Sequence, residues 1–370
     1  MRLTGVELRR VELPLVTPFR TSFGIEYARN ALLVRAVTDT GEGWGECVSI
    51  DEPTYSAEYT DGAVEVLRRF LIPPLLHADS VSAIGVAPAL SAIKGHRMAK
   101  AALETAVLDA ELRAGGMSLA NRLGGTAATV PVGVSVGIRD TLPELLDEVS
   151  GYLEDGYRRI KLKIAPGWDL VPVRAVRDHF GPDVVLQVDA NTAYGPADLR
   201  HLAKLDTFGL LLIEQPFDEE DLRSHVRLRA ISSTPVCLDE SVVSARAAAD
   251  AISWGACDIV NIKPGRVGGY LEAARLHDVC VAHGIPVWCG GMVETGVGRA
   301  ANLALAAMPG FTLPGDISAS ARYFATDITE PFVVTDSTMR VPSGPGIGVT
   351  PDPDALTAVT TWHEWIPAAG

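Results

Sequence analysis

Residues 158–166 read RRIKLKIAP. Ile160, Leu162 and Ile164 alternate with Lys161 and Lys163, and a period of two marks a strand whose alternate side chains share a face. Two lysines therefore lie on one side and three branched aliphatics on the other. An exposed edge strand would explain this, but the surrounding chain reads as α/β, where strands are covered on both faces. The question is why a covered face carries two lysines side by side.

Working outward, short apolar stretches alternate with helical segments from about residue 128 onward. The strand candidates are 130–138, 159–164, 184–191, 210–216, 235–241, 258–264, 285–291 and 311–316. Between them lie helix signals such as the capping box Thr141–Glu144, with Pro143 in the first turn. Strand candidates spaced roughly 25 residues apart predict a (β/α)8-type barrel. Residues 1–60 predict strands and loops, including a hairpin over 31–47. Residues 57–123 predict helices, one run closing on Pro73–Pro74 and another on Gly115–Gly116. Strands followed by helices make a separate α+β lobe. The Pro/Gly-rich stretch 322–370 reads as irregular and is expected to return to that lobe. The expected units are 1–125, 126–321 and 322–370.

The last polar residues of five successive strands are Lys163, Asp189, Glu214, Asp239 and Lys263. They recur at nearly constant spacing, so they share one register. In barrels of this kind the strand C-termini form the active-site face, and the five should converge there. Three carboxylates without histidine or thiolate suit a hard divalent cation such as Mg²⁺, with Mn²⁺ or another divalent ion as alternatives. The two lysines would flank the α-carbon of a carboxylate substrate, an arrangement for abstracting its α-proton. This answers the opening question. A lysine base must shed its proton near neutral pH, and a neighbouring cation, Lys161, lowers its pKa. Asn191 and Gln187 share the face of Asp189 and could support it. A ring of purely structural ion pairs is the bland alternative, and it is a costly route to stability because buried pairs roughly break even.

The remaining bulk properties narrow the class. Its 370 residues suffice for a barrel and an extra lobe. A net charge of −14 argues against nucleic-acid and membrane partners. Five cysteines, an odd number without a C-x-x-C pair, argue against disulfides or structural zinc. The first residues lack a continuous apolar core, so no signal peptide is expected, and no run approaches the ~18 apolar residues of a membrane span. A cytoplasmic enzyme with free thiols is the expectation.

Weaker motifs need weighing. GVSVG (133–137) mimics a nucleophile elbow, but Val134 and Val136 flank Ser135 and the helix starts only near Thr141. An ordinary strand is favoured, with Ser135 a candidate substrate contact from the rim. GVGRAA (296–301) mimics a dinucleotide fingerprint, but it follows the seventh strand; a helix N-terminus that helps to hold substrate fits better. Cys289, at the end of the seventh strand, reads as a barrel-lining residue, and His277 and His283 as packed or solvated. Gly291 and Asp316 end the seventh and eighth strand candidates and Met292 follows the seventh; all three are further candidate substrate contacts, although Met292 also suits packing.

The set Lys161-x-Lys163, Asp189, Glu214, Asp239 and Lys263 resembles the catalytic set of the enolase superfamily, muconate-lactonizing subgroup. KLKIAPGWD, QVDAN, LLIEQP, CLDES, IVNIKPGRVGG and VWCGGMVETGVGRAAN resemble its N-succinylamino acid racemase / o-succinylbenzoate synthase group. The resemblance spans essentially the whole chain. It implies a (β/α)7β modified TIM barrel with an α+β capping domain built from the N-terminal segment and the C-terminal tail. It implies Mg²⁺ on Asp189, Glu214 and Asp239, with Lys163 and Lys263 as the acid/base pair. Arg266 resembles a residue of the racemase members that tunes Lys263. The loops 17–27 and 49–59 match capping loops that close over substrate, with Phe19, Phe23 and Tyr55 as apolar wall residues. The implied chemistry is α-proton abstraction through an enediolate, in o-succinylbenzoate synthesis for menaquinone or in N-acylamino acid racemisation. The implied substrate is a small carboxylate bearing a succinyl or N-acyl group, and the implied assembly a homo-oligomer. Dipeptide epimerases carry Asp-x-Asp after the eighth strand; here Asp316-Ile317-Ser318 departs from it. Muconate-type cycloisomerases are the other alternative.

Overall fold

The structure, a computed structural model, describes residues 1–368. It opens with the antiparallel strands β1 (Leu3–Arg20), β2 (Ile25–Thr38) and β3 (Gly41–Cys47). The helix Arg97–Ala114 packs directly across β3. Gly43 and Gly45 permit this approach: a Cβ on Gly43 would lie 2.2 Å from the Ala110 nitrogen, and one on Gly45 2.1 Å from the Ala102 oxygen. The run closing on Pro73–Pro74 continues through the prolines. A π-helical turn, Leu67–Leu71, precedes the segment Ile72–Leu76, which accepts the prolines in its first turn, where their missing N–H groups cost no helical bond.

After the short β4 (Thr129–Pro131), seven parallel strands follow: β5 (Val134–Val136), β6 (Arg159–Lys163), β7 (Val185–Asp189), β8 (Ile213–Glu214), β9 (Val236–Leu238), β10 (Ile259–Ile262) and β11 (Val287–Cys289). They pair in chain order into one curled sheet, and a helical segment follows each strand. The eighth candidate, 311–316, forms no ladder. It closes the barrel through isolated bridges, Phe311 to Val287 and Gly315 to Val132. Bonds from Gly315 N to Pro131 O (3.1 Å) and Asp316 N to Cys289 O (2.9 Å) join its two sides. The architecture is therefore a (β/α)7β barrel with an α+β capping lobe.

The stretch 322–370 is more regular than its composition predicts. β12 (Thr338–Arg340) pairs with β4, and β13 (Thr360–Pro367) pairs antiparallel with β1, giving the capping sheet the order β13–β1–β2–β3. Trp362 and Ile366 of β13 pack on the capping core. No helix among the described residues is long and apolar enough to cross a membrane.

Lobe and barrel are joined by buried acids that cap barrel helices. Glu46 of β3 accepts from Thr295 N (3.1 Å), Thr295 Oγ1 (2.7 Å) and Gly298 N (3.1 Å), at the start of the helix Gly296–Ala306. Glu104 accepts from Leu271 N (3.1 Å), at the start of the helix Tyr270–Ala282. Such sites complement the unsatisfied N–H groups and the positive end of the helix dipole.

Burial pushes the Glu104 carboxyl up to about 7, against the lowering effect of those N–H groups. A carboxyl raised on folding favours the native state when protonated, and that contribution is lost as pH rises from its unfolded value near 4.5 through 7. Glu104→Gln is thus expected to leave stability nearly unchanged at pH 4.5. At pH 8 it should raise stability by up to about 3 kcal/mol, read by urea denaturation at the two pH values.

Candidate active site

The side chains of β6 answer the question its sequence poses. All five residues of the strand are buried. Ile160 and Leu162 join the apolar core, while Arg159, Lys161 and Lys163 form a column of cations on the opposite face. Lys163 pairs in register with Asp189, and Asp189 with Glu214 on the next strand. Lys163 Nζ lies 2.6 Å from Asp189 Oδ2, and Lys161 Nζ lies 3.0 Å from the same oxygen. Lys161 also reaches Glu214 Oε2 at 3.0 Å and pairs with Asp316. Arg159 sits 2.5 Å from Asp316 Oδ1, and both Arg159 and Lys161 lie over the Trp288 ring.

The far side is built alike. Lys263, directly after β10, places Nζ 2.7 Å from Asp239 Oδ2. Arg266 pairs with the other oxygen of Asp239 and donates to Val242 O at 2.9 Å. In strand order the two lysines flank Asp189, Glu214 and Asp239, and all five side chains are buried. Asn191 connects the first side to a further acid: its Oδ1 accepts from Lys163 Nζ at 2.6 Å, and its Nδ2 donates to Glu240 Oε1 at 2.9 Å. Asn191, Thr192, Gln215 and Val293, all just past strand ends, have φ values of 42°, 64°, 35° and 58°. Left-handed backbone at non-glycine residues is strained, and it concentrates at sites the rest of the structure must hold in shape.

Electrostatics follow from this crowding. Burial opposes the charge on Asp189, but the ammonium groups of Lys163 and Lys161 outweigh it and hold the carboxyl below its ordinary range. Burial also opposes the charges of Lys161 and Lys263. The facing acids prevail: Asp316, Glu214 and Asp189 around Lys161, and Tyr55, Glu240, Glu214 and Asp189 around Lys263, so both are held above the ordinary lysine value. Burial pushes Glu240 up to about 7.

The other sequence candidates are distributed as follows. Ser135 lies on β5 beside Lys161 in register, buried, with Oγ lacking a hydrogen-bond partner among the described residues. Its strand is ordinary, with no elbow. The Phe19 ring centroid is 6.0 Å from Lys163 Nζ. Tyr55 does more than form an apolar wall: its hydroxyl accepts from Lys263 Nζ at 3.1 Å. Phe23 packs 6.2 Å from the Tyr55 ring. Met292 and Lys263 line a small cavity of about 20 Å³ between lobe and barrel. Gly291 lies against the backbone of Asp316, whose oxygen would be 2.4 Å from an added Cβ. The helix start at 296 differs from expectation. Its N–H groups are taken by Glu46 and by Asp327, which accepts from Gly296 N at 2.9 Å, so protein carboxylates already occupy the place suggested for substrate. Cys289 is buried in β11 with its thiol pushed up by burial, and His277 stacks on Phe311. Gln187 is buried behind Asp189, its Nε2 without a hydrogen-bond partner among the described residues.

Sequence reasoning missed three participants. Arg159 shares the period of Lys161 and Lys163, which could have revealed it. Glu240 directly follows an identified acid. Asn261, whose Nδ2 donates to Glu214 Oε1 at 2.7 Å, carried no signal beyond its inward phase on β10.

Whether these residues fit a metal can be judged from their donor chemistry. Three buried carboxylates on adjacent strands, with oxygen as their only donor atom, match the preference of a hard divalent cation. Here their oxygens hold ammonium and guanidinium groups, and no three such acidic, histidine or cysteine side chains converge closely enough to hold an ion among the described residues. The donors fit in kind, and ion entry would exchange these cations for the metal.

A capped barrel with acids and lysines at successive strand ends defines an enzyme class, and the comparisons agree: the chain belongs to the enolase superfamily. Residues 144–355 match the enolase C-terminal domain-like family, and residues 3–124 match the mandelate racemase / muconate lactonizing enzyme N-terminal domain. Enzymes of this superfamily use a divalent metal ion. Among relatives, the chain is 66% identical to an N-succinylamino acid racemase of an Amycolatopsis species, over 99% of this chain and 100% of that one. It is 46% identical to an o-succinylbenzoate synthase of Geobacillus kaustophilus, over 94% and 93%. A crystal structure of an enolase superfamily member from Listeria innocua superposes with a TM-score of 0.95 at 39% identity, covering 100% of both chains.

Gly290 tests the packing of this site. A Cβ there would lie 2.3 Å from Asn261 Oδ1 and 2.8 Å from Lys263 Cε. Gly290→Ala must displace Lys263 or Asn261. Turnover is expected to fall at least about tenfold, with little change in melting temperature, measured by steady-state kinetics beside a thermal melt.

Proposed function

We propose that this protein removes the proton α to a carboxylate, acting as an N-succinylamino acid racemase, an o-succinylbenzoate synthase, or both. The observation that carries this reading is the placement of Lys163 and Lys263 on either side of three buried carboxylates. The racemase and synthase relatives support the substrate class, a small carboxylate bearing a succinyl or N-acyl group. Asp189, Glu214 and Asp239 would hold the metal, for which Mg²⁺ is the natural choice. When bound, the ion supplies positive charge that acidifies the α-proton and balances charge on the substrate carboxylate.

The lysines carry the proton traffic. In racemisation, neutral Lys163 takes the α-proton from one face, and the C–H electron pair delocalises into the substrate carboxylate. Lys263, as an ammonium, returns a proton to the opposite face, and that pair forms the new C–H bond. The mirror-image substrate uses the two in exchanged roles, which requires that positive charge held by Glu214 and Asp189 offset the acids that otherwise keep Lys263 above its ordinary value. In the dehydration, Lys163 takes the proton and then gives it to the departing hydroxide, which leaves as water, while Lys263 stays cationic beside the delocalised charge. The Phe19 and Tyr55 rings lie 6.0 Å and 4.7 Å from the buried amines of Lys163 and Lys263. A dipeptide epimerase is disfavoured, because Asp316 is engaged by Arg159 and Lys161 and not free to grip a substrate amine.

Proton NMR in D₂O with Mg²⁺ and L-N-succinylphenylglycine, alongside optical rotation, tests the reading. Loss of both the α-signal and rotation is expected. Lys163→Ala should lower racemisation and dehydration by at least about 10³-fold, and retained turnover of both would refute the two-lysine scheme. The metal assignment has its own check: Asp189→Asn is expected to weaken Mg²⁺ binding at least tenfold, on the order seen when metal sites are disturbed, by titration calorimetry.

A further inference from the structure

The two lysines are held by matching pairs of acceptors from different parts of the molecule. Lys163 Nζ lies 2.6 Å from Asp189 Oδ2 and 2.6 Å from Asn191 Oδ1. Lys263 Nζ lies 2.7 Å from Asp239 Oδ2 and 3.1 Å from the Tyr55 hydroxyl. Each amine thus has one carboxylate and one neutral oxygen. The carboxylates are the donors that would hold the metal, so the neutral oxygen is the acceptor left to each amine when the ion binds, and it restricts rotation about the last side-chain bond and aims the nitrogen.

The origins of the neutral partners differ. Asn191 follows β7 and belongs to the barrel. Tyr55 lies between β3 and the helix Thr60–Val66, in the capping lobe. Its ring is buried, belongs to the apolar core of that lobe and lies 4.7 Å from Lys263 Nζ. Its hydroxyl also stands 3.5 Å from Asp239 Oδ1, so the phenol spans the lysine and the carboxylate that holds it.

We propose that Tyr55 is a positioning residue whose hydroxyl aims Lys263, so that the capping lobe assembles one of the two bases while the barrel assembles the other. The inference rests on the two-lysine reading and adds an asymmetry to it. The base that serves one enantiomer depends on a hydrogen-bond acceptor from the lobe, and the base that serves its mirror image takes the equivalent acceptor from the barrel.

Stereospecific exchange separates these cases. Without the Tyr55 hydroxyl, the enantiomer facing Lys163 still exchanges its α-proton for deuterium, because Lys163 alone removes and returns the hydron. The enantiomer facing Lys263 exchanges more slowly. The experiment follows α-deuteration of D- and L-N-succinylphenylglycine separately in D₂O with Mg²⁺, using the full chain. Tyr55→Phe keeps the ring, and unchanged near-ultraviolet circular dichroism verifies its fold. It is expected to slow one enantiomer roughly tenfold more than the other, about the worth of one hydrogen bond. Asn191→Gly, which suits the left-handed backbone at this position, should slow the opposite enantiomer by a similar margin. Equal slowing of both by Tyr55→Phe, no slowing, or the same preference in both variants would overturn the proposal. A wild-type enzyme that exchanges neither enantiomer would instead overturn the racemase reading, and the inference with it.

Discussion

An ionised carboxylate without solvent contact is costly unless cations and hydrogen bonds compensate it, and Asp189 is compensated twice at one oxygen. Lys161 and Lys163 both reach its Oδ2, and its Oδ1 accepts from the backbone nitrogen of Asn191. This arrangement requires β6 and β7 to pair in one register only. A slip of one residue would turn three cations of β6 toward the apolar layer beneath the helices and bring Ile160 and Leu162 to the acids. Register on β6 and β7 also sets the level of Glu214 on β8. The barrel mouth is organised as much by charge compensation as by apolar packing.

That constraint explains why so much of the site was legible. A charged residue recurring at the same point of five successive strands has few structural excuses, and Lys163, Asp189, Glu214, Asp239 and Lys263 come together on one rim as the spacing predicted. Short apolar runs recurring between helix signals also exposed the strands themselves. The less legible parts depend on distant partners. Glu46 meets Thr295 across 249 residues, and nothing local marks it as a helix cap. The sequence marks Tyr55 by its ring alone, although its hydroxyl makes the contact with Lys263. The helix start at 296 looked open to a ligand because the acids that fill it come from β3 and from Asp327.

Two departures in the fold have simple causes. The segment 311–316 behaves as the closing stave of the barrel, but it touches its neighbours only at isolated bridges, so pattern alone overstates its regularity. β13 is under-read for the opposite reason. Its residues alternate between half-buried and exposed, without the run of fully buried aliphatics that marks a barrel strand. Its pairing partner, β1, supplies what its own sequence does not advertise.

The position of β13 bears on how the molecule comes into being. The capping sheet begins with the first strand and receives its fourth member after every barrel strand has been synthesised. During synthesis β1 therefore presents an unpaired edge, with open backbone donors and acceptors, while the barrel is still emerging. The pairing that ends this exposure joins residues more than 300 positions apart, such as Arg10 and Trp362. The ends of so long a loop meet only after the chain between them has been made, so the lobe that carries Tyr55 receives its last strand after every barrel strand has been synthesised.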